Sequence, residues 1–126
     1  MNKQQIITKN APDAIGPYSQ AIEVDNFIFL SGQIGIDPMT KKLACKDVKG
    51  QSEQIFKNIK AILKQGGANL SNIVKTTVFL KDIKDFMIVN ELYTKYFKEP
   101  FPARSVVAVK ELPLSVDIEI EVIAVL

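Results

Sequence analysis

The sequence has no histidine, one cysteine and one arginine against fifteen lysines. Without histidine, a Ser-His-Asp triad and any histidine-ligated metal centre are excluded. Cys45 has no second thiol with which to form an internal disulfide and no histidine to activate it. In K-L-A-C-K-D it reads as incidental, a lysine-flanked reactive thiol being the alternative. No Walker-type or dinucleotide glycine pattern is present; Gly66-Gly67 follows a helical stretch and reads as its C-cap. No apolar run is long enough to span a membrane, and M-N-K-Q-Q-I-I-T-K lacks the apolar core of a signal peptide. The expectation is a soluble cytoplasmic protein with no membrane partner. Any catalysis is then left to carboxylates, hydroxyls, amides, backbone groups and the one guanidinium.

What is present fits a single globular domain over residues 1–126, with 47% hydrophobic and 24% charged residues. Sixteen basic and fourteen acidic residues leave a formal net charge of +2, and the lysines are scattered. A nucleic-acid binder concentrates its basic residues on one face, so no nucleic-acid partner is expected.

Periodicity gives the order β-β-β-α-β-α-β-β. A short strand near Ile6–Thr8 precedes the turn-rich A-P-D-A-I-G-P. Y-S-Q-A-I-E-V and F-I-F-L-S-G-Q-I flank Asp25-Asn26 and read as a hairpin. Apolar Ile55, Phe56, Ile59, Ile62 and Leu63 make one stripe of a helix over Val48–Gln65. I-V-K-T-T-V-F-L-K reads as a β-branched strand. A second helix is predicted over Ile83–Phe97, with Phe86, Asn90, Tyr93 and Phe97 on one stripe. Pro100 and Pro102 end it and lead into A-R-S-V-V-A-V, and D-I-E-I-E-V-I-A-V-L closes the chain. Both helices can lie on one face of a six-stranded mixed sheet, an α+β arrangement. V-V-A-V and E-V-I-A-V do not alternate cleanly with polar residues, so the other face is also apolar, and self-association is the simplest way to cover it.

Several polar residues stand where apolar ones would serve. Arg104 shares a strand face with Val106 and Ala108. A guanidinium there either pairs with a glutamate in a structural salt bridge or binds a ligand carboxylate through its planar fork. Glu119 and Glu121 share a face of the last strand with Ile123 and Val125. Burial raises the pKa of such a carboxylate and a nearby arginine lowers it, which suits a general base; solvated acids at a strand end are the other reading, favoured for Glu121. Asn90, between Phe86 and Tyr93, is either a local tether or a substrate contact. Tyr18 and Ser31, on the paired hairpin strands, sit beside glycine-containing bends, and Gly32 lets a ligand approach the backbone. Tyr18 reads equally as a core aromatic with its hydroxyl at the rim.

Taken together, N-A-P-D-A-I-G-P-Y-S-Q-A (10–21), L-S-G-Q-I (30–34), I-V-K-T-T-V-F-L-K-D (73–82), F-M-I-V-N-E-L-Y (86–93), F-P-A-R-S (101–105) and I-E-I-E-V-I-A-V (118–125) resemble the RidA (YjgF-type) family of reactive intermediate deaminases. The likeness covers nearly the whole chain in order. It implies a chorismate-mutase-like fold and a homotrimer with sites in clefts between subunits. It also implies hydrolysis of enamine/imine intermediates such as 2-aminoacrylate and 2-aminocrotonate to 2-keto acids and ammonia, with no metal or cofactor. Arg104, in the motif that marks the deaminase branch, would hold the substrate carboxylate and Glu119 would activate water. Tyr18, Ser31, Gly32 and Asn90 would border the pocket. Many bacterial relatives carry a cysteine where this chain has Val106, so a thiol mechanism is absent at that position. The competing reading is a non-catalytic trimer that binds small carboxylates in a regulatory or chaperone-like role. RNA cleavage, attached to some family members, has no support in a chain without histidine or a dense basic patch.

Overall fold

The computed structural model describes all residues, Met1–Leu126. Six strands form one sheet: β1 (Lys3–Ile6), β2 (Ala21–Val24), β3 (Phe27–Leu30), β4 (Ile73–Leu80), β5 (Ala103–Ala108) and β6 (Ile118–Val125). Their order is β1-β2-β3-β6-β4-β5, and every pairing is antiparallel except β4 with β5. The two helices are α1 (Val48–Gln65) and α2 (Phe86–Tyr96). The expected element order and the Val48–Gln65 helix are therefore observed.

One face of the sheet carries the core. The α1 stripe Ile55, Phe56, Ile59, Ile62 and Leu63 is fully buried against a cluster containing Ile28, Val78, Leu80, Ile118 and Ile120. Each such side chain contributes roughly 1.5–3 kcal/mol by leaving water. Asp47 starts α1 by accepting the backbone N–H of Gly50 at 2.7 Å. Gly66 ends the helix, its N–H reaching the carbonyls of Ile62 and Leu63, and Gly67 takes the left-handed φ of +81°. Cys45 lies over this first turn, its thiol 3.5 Å from Asp47 Oδ1.

The opposite face has no helix. Phe27 and Phe29, stacked with ring centroids 5.9 Å apart, lie there 45% and 42% exposed, beside Ile123 and Val125. The expectation of an uncovered apolar face holds, although β6 alternates more strictly than its sequence suggests. Ile118, Ile120, Val122 and Ala124 all turn to the core, and Glu119, Glu121, Ile123 and Val125 turn away from it.

Three expectations shift. The first strand runs over Lys3–Ile6 and not around Ile6–Thr8. The buried Gln20 side chain accepts the Thr8 N–H at 2.8 Å and donates to the carbonyls of Thr8 and Pro12, which takes the chain off the ladder. The second helix begins three residues later than predicted. Asp82 accepts the Lys84 N–H at 2.9 Å and closes a separate 3-10 turn over Ile83–Asp85. Tyr18 and Ser31 lie just outside the hairpin strands, because pairing ends with Ala21 opposite Leu30. One further bond, from Ser31 N–H to Gln20 O at 3.0 Å, carries the ladder past that end.

Candidate active site

The α2 helix places Phe86, Asn90, Tyr93 and Phe97 on one stripe, and β4 and β5 fix what lies across from them. Thr76 is opposite Arg104 in the parallel register, and Thr76 is buried on the helix side. Arg104 therefore points to the same side, and its guanidinium carbon lies 4.7 Å from the centroid of the Tyr93 ring and 5.2 Å from that of Phe86. The Tyr93 hydroxyl shares a 2.5 Å hydrogen bond with Thr76 Oγ1. The structural salt bridge weighed for Arg104 is not formed: the one ion pair in the chain is Lys95–Glu53. The guanidinium makes no hydrogen bond within the protomer, so its N–H groups remain free in the plane of the fork. Asn90, half-buried one turn from each ring, also makes no side-chain hydrogen bond, so the local tether considered for it is absent.

Glu119 is on the other side of the sheet. It stands opposite Phe79 in the β4–β6 register, three residues from Thr76 and so on the opposite face. Its carboxylate packs directly against Gly32, in the space where a side chain at position 32 would have to go. Burial pushes the Glu119 carboxyl above the ordinary glutamate range, and the negative charge of Glu121 adds to this. Arg104 of the same chain, on the other face of the sheet, does not oppose either effect. Glu121 itself is exposed, as its solvated reading requires. Ser31 Oγ donates to the Ser19 carbonyl at 2.6 Å, which ties the bend after β3 to the segment bearing Tyr18. Tyr18 is 52% exposed, and its placement agrees with the rim reading rather than with a core aromatic.

Tyr18 and Gly32 also line a cavity of about 660 Å³, whose walls include Ile15, Ile34, Ile36 and Leu114. Leu114 and Ser115 hold left-handed φ values of 56° and 55° at its edge. Arg104, Asn90 and Glu119 are not among its walls.

The predicted residues thus fall into two groups. Arg104 and Asn90 lie on the helix side at the β5 edge; Tyr18, Ser31, Gly32 and Glu119 lie at or beyond the ends of β2, β3 and on the open face. One chain does not bring the groups together. Sequence reasoning missed the roles of Phe86, Tyr93 and Thr76 around Arg104. The available signal is the Phe86–Asn90–Tyr93 stripe, whose aromatic spacing is also that of ordinary core packing.

Gly32→Ala gives the first test of the Glu119 environment. The added methyl must displace the carboxylate, and the unfolding midpoint should change little because the displaced atoms end a flexible side chain. A thermal melt beside the wild-type protein checks this.

The fold is an α+β domain of six mixed strands with both helices on one face, and comparison with known proteins takes it to the level of a family. Residues 8–126 match the family model described as Endoribonuclease L-PSP. A RutC family protein of Pyrococcus abyssi is 53% identical over 124 residues, covering 98% of each chain. The human 2-iminobutanoate/2-iminopropanoate deaminase is 50% identical over 123 residues, 98% of this chain and 90% of the human one. The crystal structure of a Rid-family protein from Yersinia pestis superposes with a TM-score of 0.96 at 49% identity, covering 99% of this chain and 100% of that one. The chain belongs to the YjgF/RidA family. No helix is long and apolar enough to cross a membrane.

Proposed function

We propose that the protein hydrolyses the C=N bond of small 2-imino acids, among them 2-aminoacrylate and 2-aminocrotonate after tautomerisation, giving 2-keto acids and ammonia. The observation that carries this is the Arg104 guanidinium, laid on two aromatic rings and left without an acidic partner in its own chain. Such a fork matches a carboxylate through two parallel hydrogen bonds and sets the plane of the imine next to it.

Glu119 supplies the acid–base chemistry. It removes a proton from water as the oxygen attacks the carbon of the protonated imine, giving a carbinolamine, and returns that proton to nitrogen; the carboxylate then takes the hydroxyl proton as the C–N bond breaks, C=O forms and ammonia leaves. A carboxyl with a raised pKa holds that proton more readily than an ordinary glutamate. Tyr18, Ser31, Gly32 and Asn90 border the bound molecule. The 50%-identical human protein bears a deaminase name, which supports the same reaction here.

Arg104 and Glu119 lie on opposite faces of one sheet, so the site is completed between copies: the guanidinium from one, the carboxylate from its neighbour. The apolar open face bearing Phe27 and Phe29 supports such an assembly, a homotrimer in this family reading.

Two measurements test the proposal. The first generates 2-aminoacrylate with a serine dehydratase and follows pyruvate release; pyruvate binding with no acceleration over the uncatalysed rate would leave only the carboxylate-binding reading. The second co-refolds equal amounts of Arg104→Ala and Glu119→Gln chains. Random assembly restores about a quarter of the sites when each site draws on two copies, whereas sites contained in one chain would stay inactive.

A further inference from the structure

We infer that Phe86 and Tyr93 form an aromatic platform that aims the Arg104 fork, with Thr76 fixing the platform from below; all three are positioning residues for carboxylate capture. This rests on Arg104 being the carboxylate anchor and assigns how its orientation is maintained.

An arginine side chain on an edge strand has four rotatable bonds and sweeps a wide volume when free. Here the guanidinium carbon is 4.7 Å from one ring centroid and 5.2 Å from another, both within cation–π range. Two rings restrict the group more than one would, and neither occupies the N–H edges. The charge is held by ring quadrupoles that offer no oxygen or nitrogen acceptor, so no strong hydrogen bond is spent on the support and the fork stays available to a bidentate ligand. A carboxylate in place of either ring would have occupied the fork itself.

Tyr93 is the fixed member of the pair. It is 6% exposed, packs edge-on to Phe56 at 6.3 Å, and meets Phe97 at 5.1 Å. Its hydroxyl is tied to the buried Thr76, the residue directly opposite Arg104 on the neighbouring strand. The ring supporting the guanidinium is thus pinned to the strand beside the one that carries it. Burial pushes the Tyr93 hydroxyl above its ordinary range, against the opposing Thr76 hydrogen bond and Arg104 charge, in keeping with a tightly packed ring. Phe86, at the start of α2 and only partly buried, is the member that can be altered without opening the core.

Phe86→Leu, Phe86→Trp and Arg104→Met, singly and with Phe86→Leu combined with Arg104→Met, test the inference. The readouts are pyruvate affinity by titration calorimetry and KM and kcat with enzymatically generated 2-aminoacrylate. Phe86→Leu is expected to raise the pyruvate Kd and KM together by about 3- to 30-fold, the span of one partly desolvated cation–π contact, with kcat held. Phe86→Trp is expected to retain or tighten binding. In the Arg104→Met background Phe86→Leu should have no further effect on pyruvate affinity. An unchanged Kd and KM in Phe86→Leu, or an equal effect with and without Arg104, overturns the platform while leaving the anchor intact. An unchanged pyruvate Kd in Arg104→Met overturns the anchor and the platform with it.

Discussion

Arg104→Lys is expected to lower kcat/KM for 2-aminoacrylate by about 10²-fold, the equivalent of losing one of two charge-assisted hydrogen bonds together with the planar alignment they impose. The charge is conserved in this variant, so the loss isolates the fork from simple electrostatic attraction. Lysine can still lie over the Phe86 and Tyr93 rings, but it presents an ammonium that fixes no plane. Arg104→Ala removes both contributions and should fall further. Neither variant should unfold readily, because Arg104 has no hydrogen-bond or ion-pair partner within its chain and sits on the edge strand β5. The deciding comparison is steady-state kinetics beside a thermal melt. Full activity in Arg104→Lys would show that bidentate recognition is not used.

Glu119→Gln is expected to cost about 10²–10⁴ in kcat, the usual range for removal of a general acid–base group, with pyruvate binding retained. The pH dependence follows from the direction of the shift. The wild-type rate needs the ionised carboxylate, so kcat/KM should fall on acidification; burial and Glu121 raise that limb, and the neighbour's guanidinium in the proposed assembly draws it back down. Glu121→Gln removes the neighbouring negative charge and should move that limb to lower pH. Stability runs the other way. A carboxyl with a raised folded-state pKa makes its full contribution to stability below its unfolded pKa and loses it as pH rises through the folded value. Glu119→Gln should therefore raise the unfolding midpoint at neutral pH and leave it unchanged at low pH, where the native carboxyl is already protonated. A neutral-pH melt in which the glutamine variant is no more stable than wild type would contradict burial as the main cause of the shift.

The sequence was legible where one physical signal dominated. The α1 stripe, the β-branched I-V-K-T-T-V-F-L and the Asp25-Asn26 turn each had one reasonable reading, and each formed as expected. The uncovered face was legible too, since two helices cannot cover both sides of six strands. Local competition displaced the rest. K-Q-Q-I has one buried residue and no alternation to locate β1, and the Gln20 side chain, whose four backbone bonds depend on tertiary contact, decided where it ended.

For the site, the residue types were legible but their faces were not. In A-R-S-V-V-A-V apolar residues occupy both parities, so the side taken by Arg104 depends on the β4 register, which no local pattern reports. Its aromatic support was hidden for a similar reason. Phe86 and Tyr93 look like ordinary core residues until the opposite strand supplies the cation.

The single parallel pairing of the sheet has its own consequence. Because α2 connects β4 to β5, Thr76, Phe86, Asn90, Tyr93 and Arg104 all lie within one crossover of consecutive chain. The acid–base group instead draws on the bend after β3 and on the distant strand β6. In the proposed reaction the part that recognises the anion is thus a self-contained module in chain connectivity, and the part assigned to hydrolysis is a composite of remote segments. Insertions between β3 and β4 leave the first intact while altering the spacing of the second, so affinity for a carboxylate and the capacity to hydrolyse it can diverge independently on this fold.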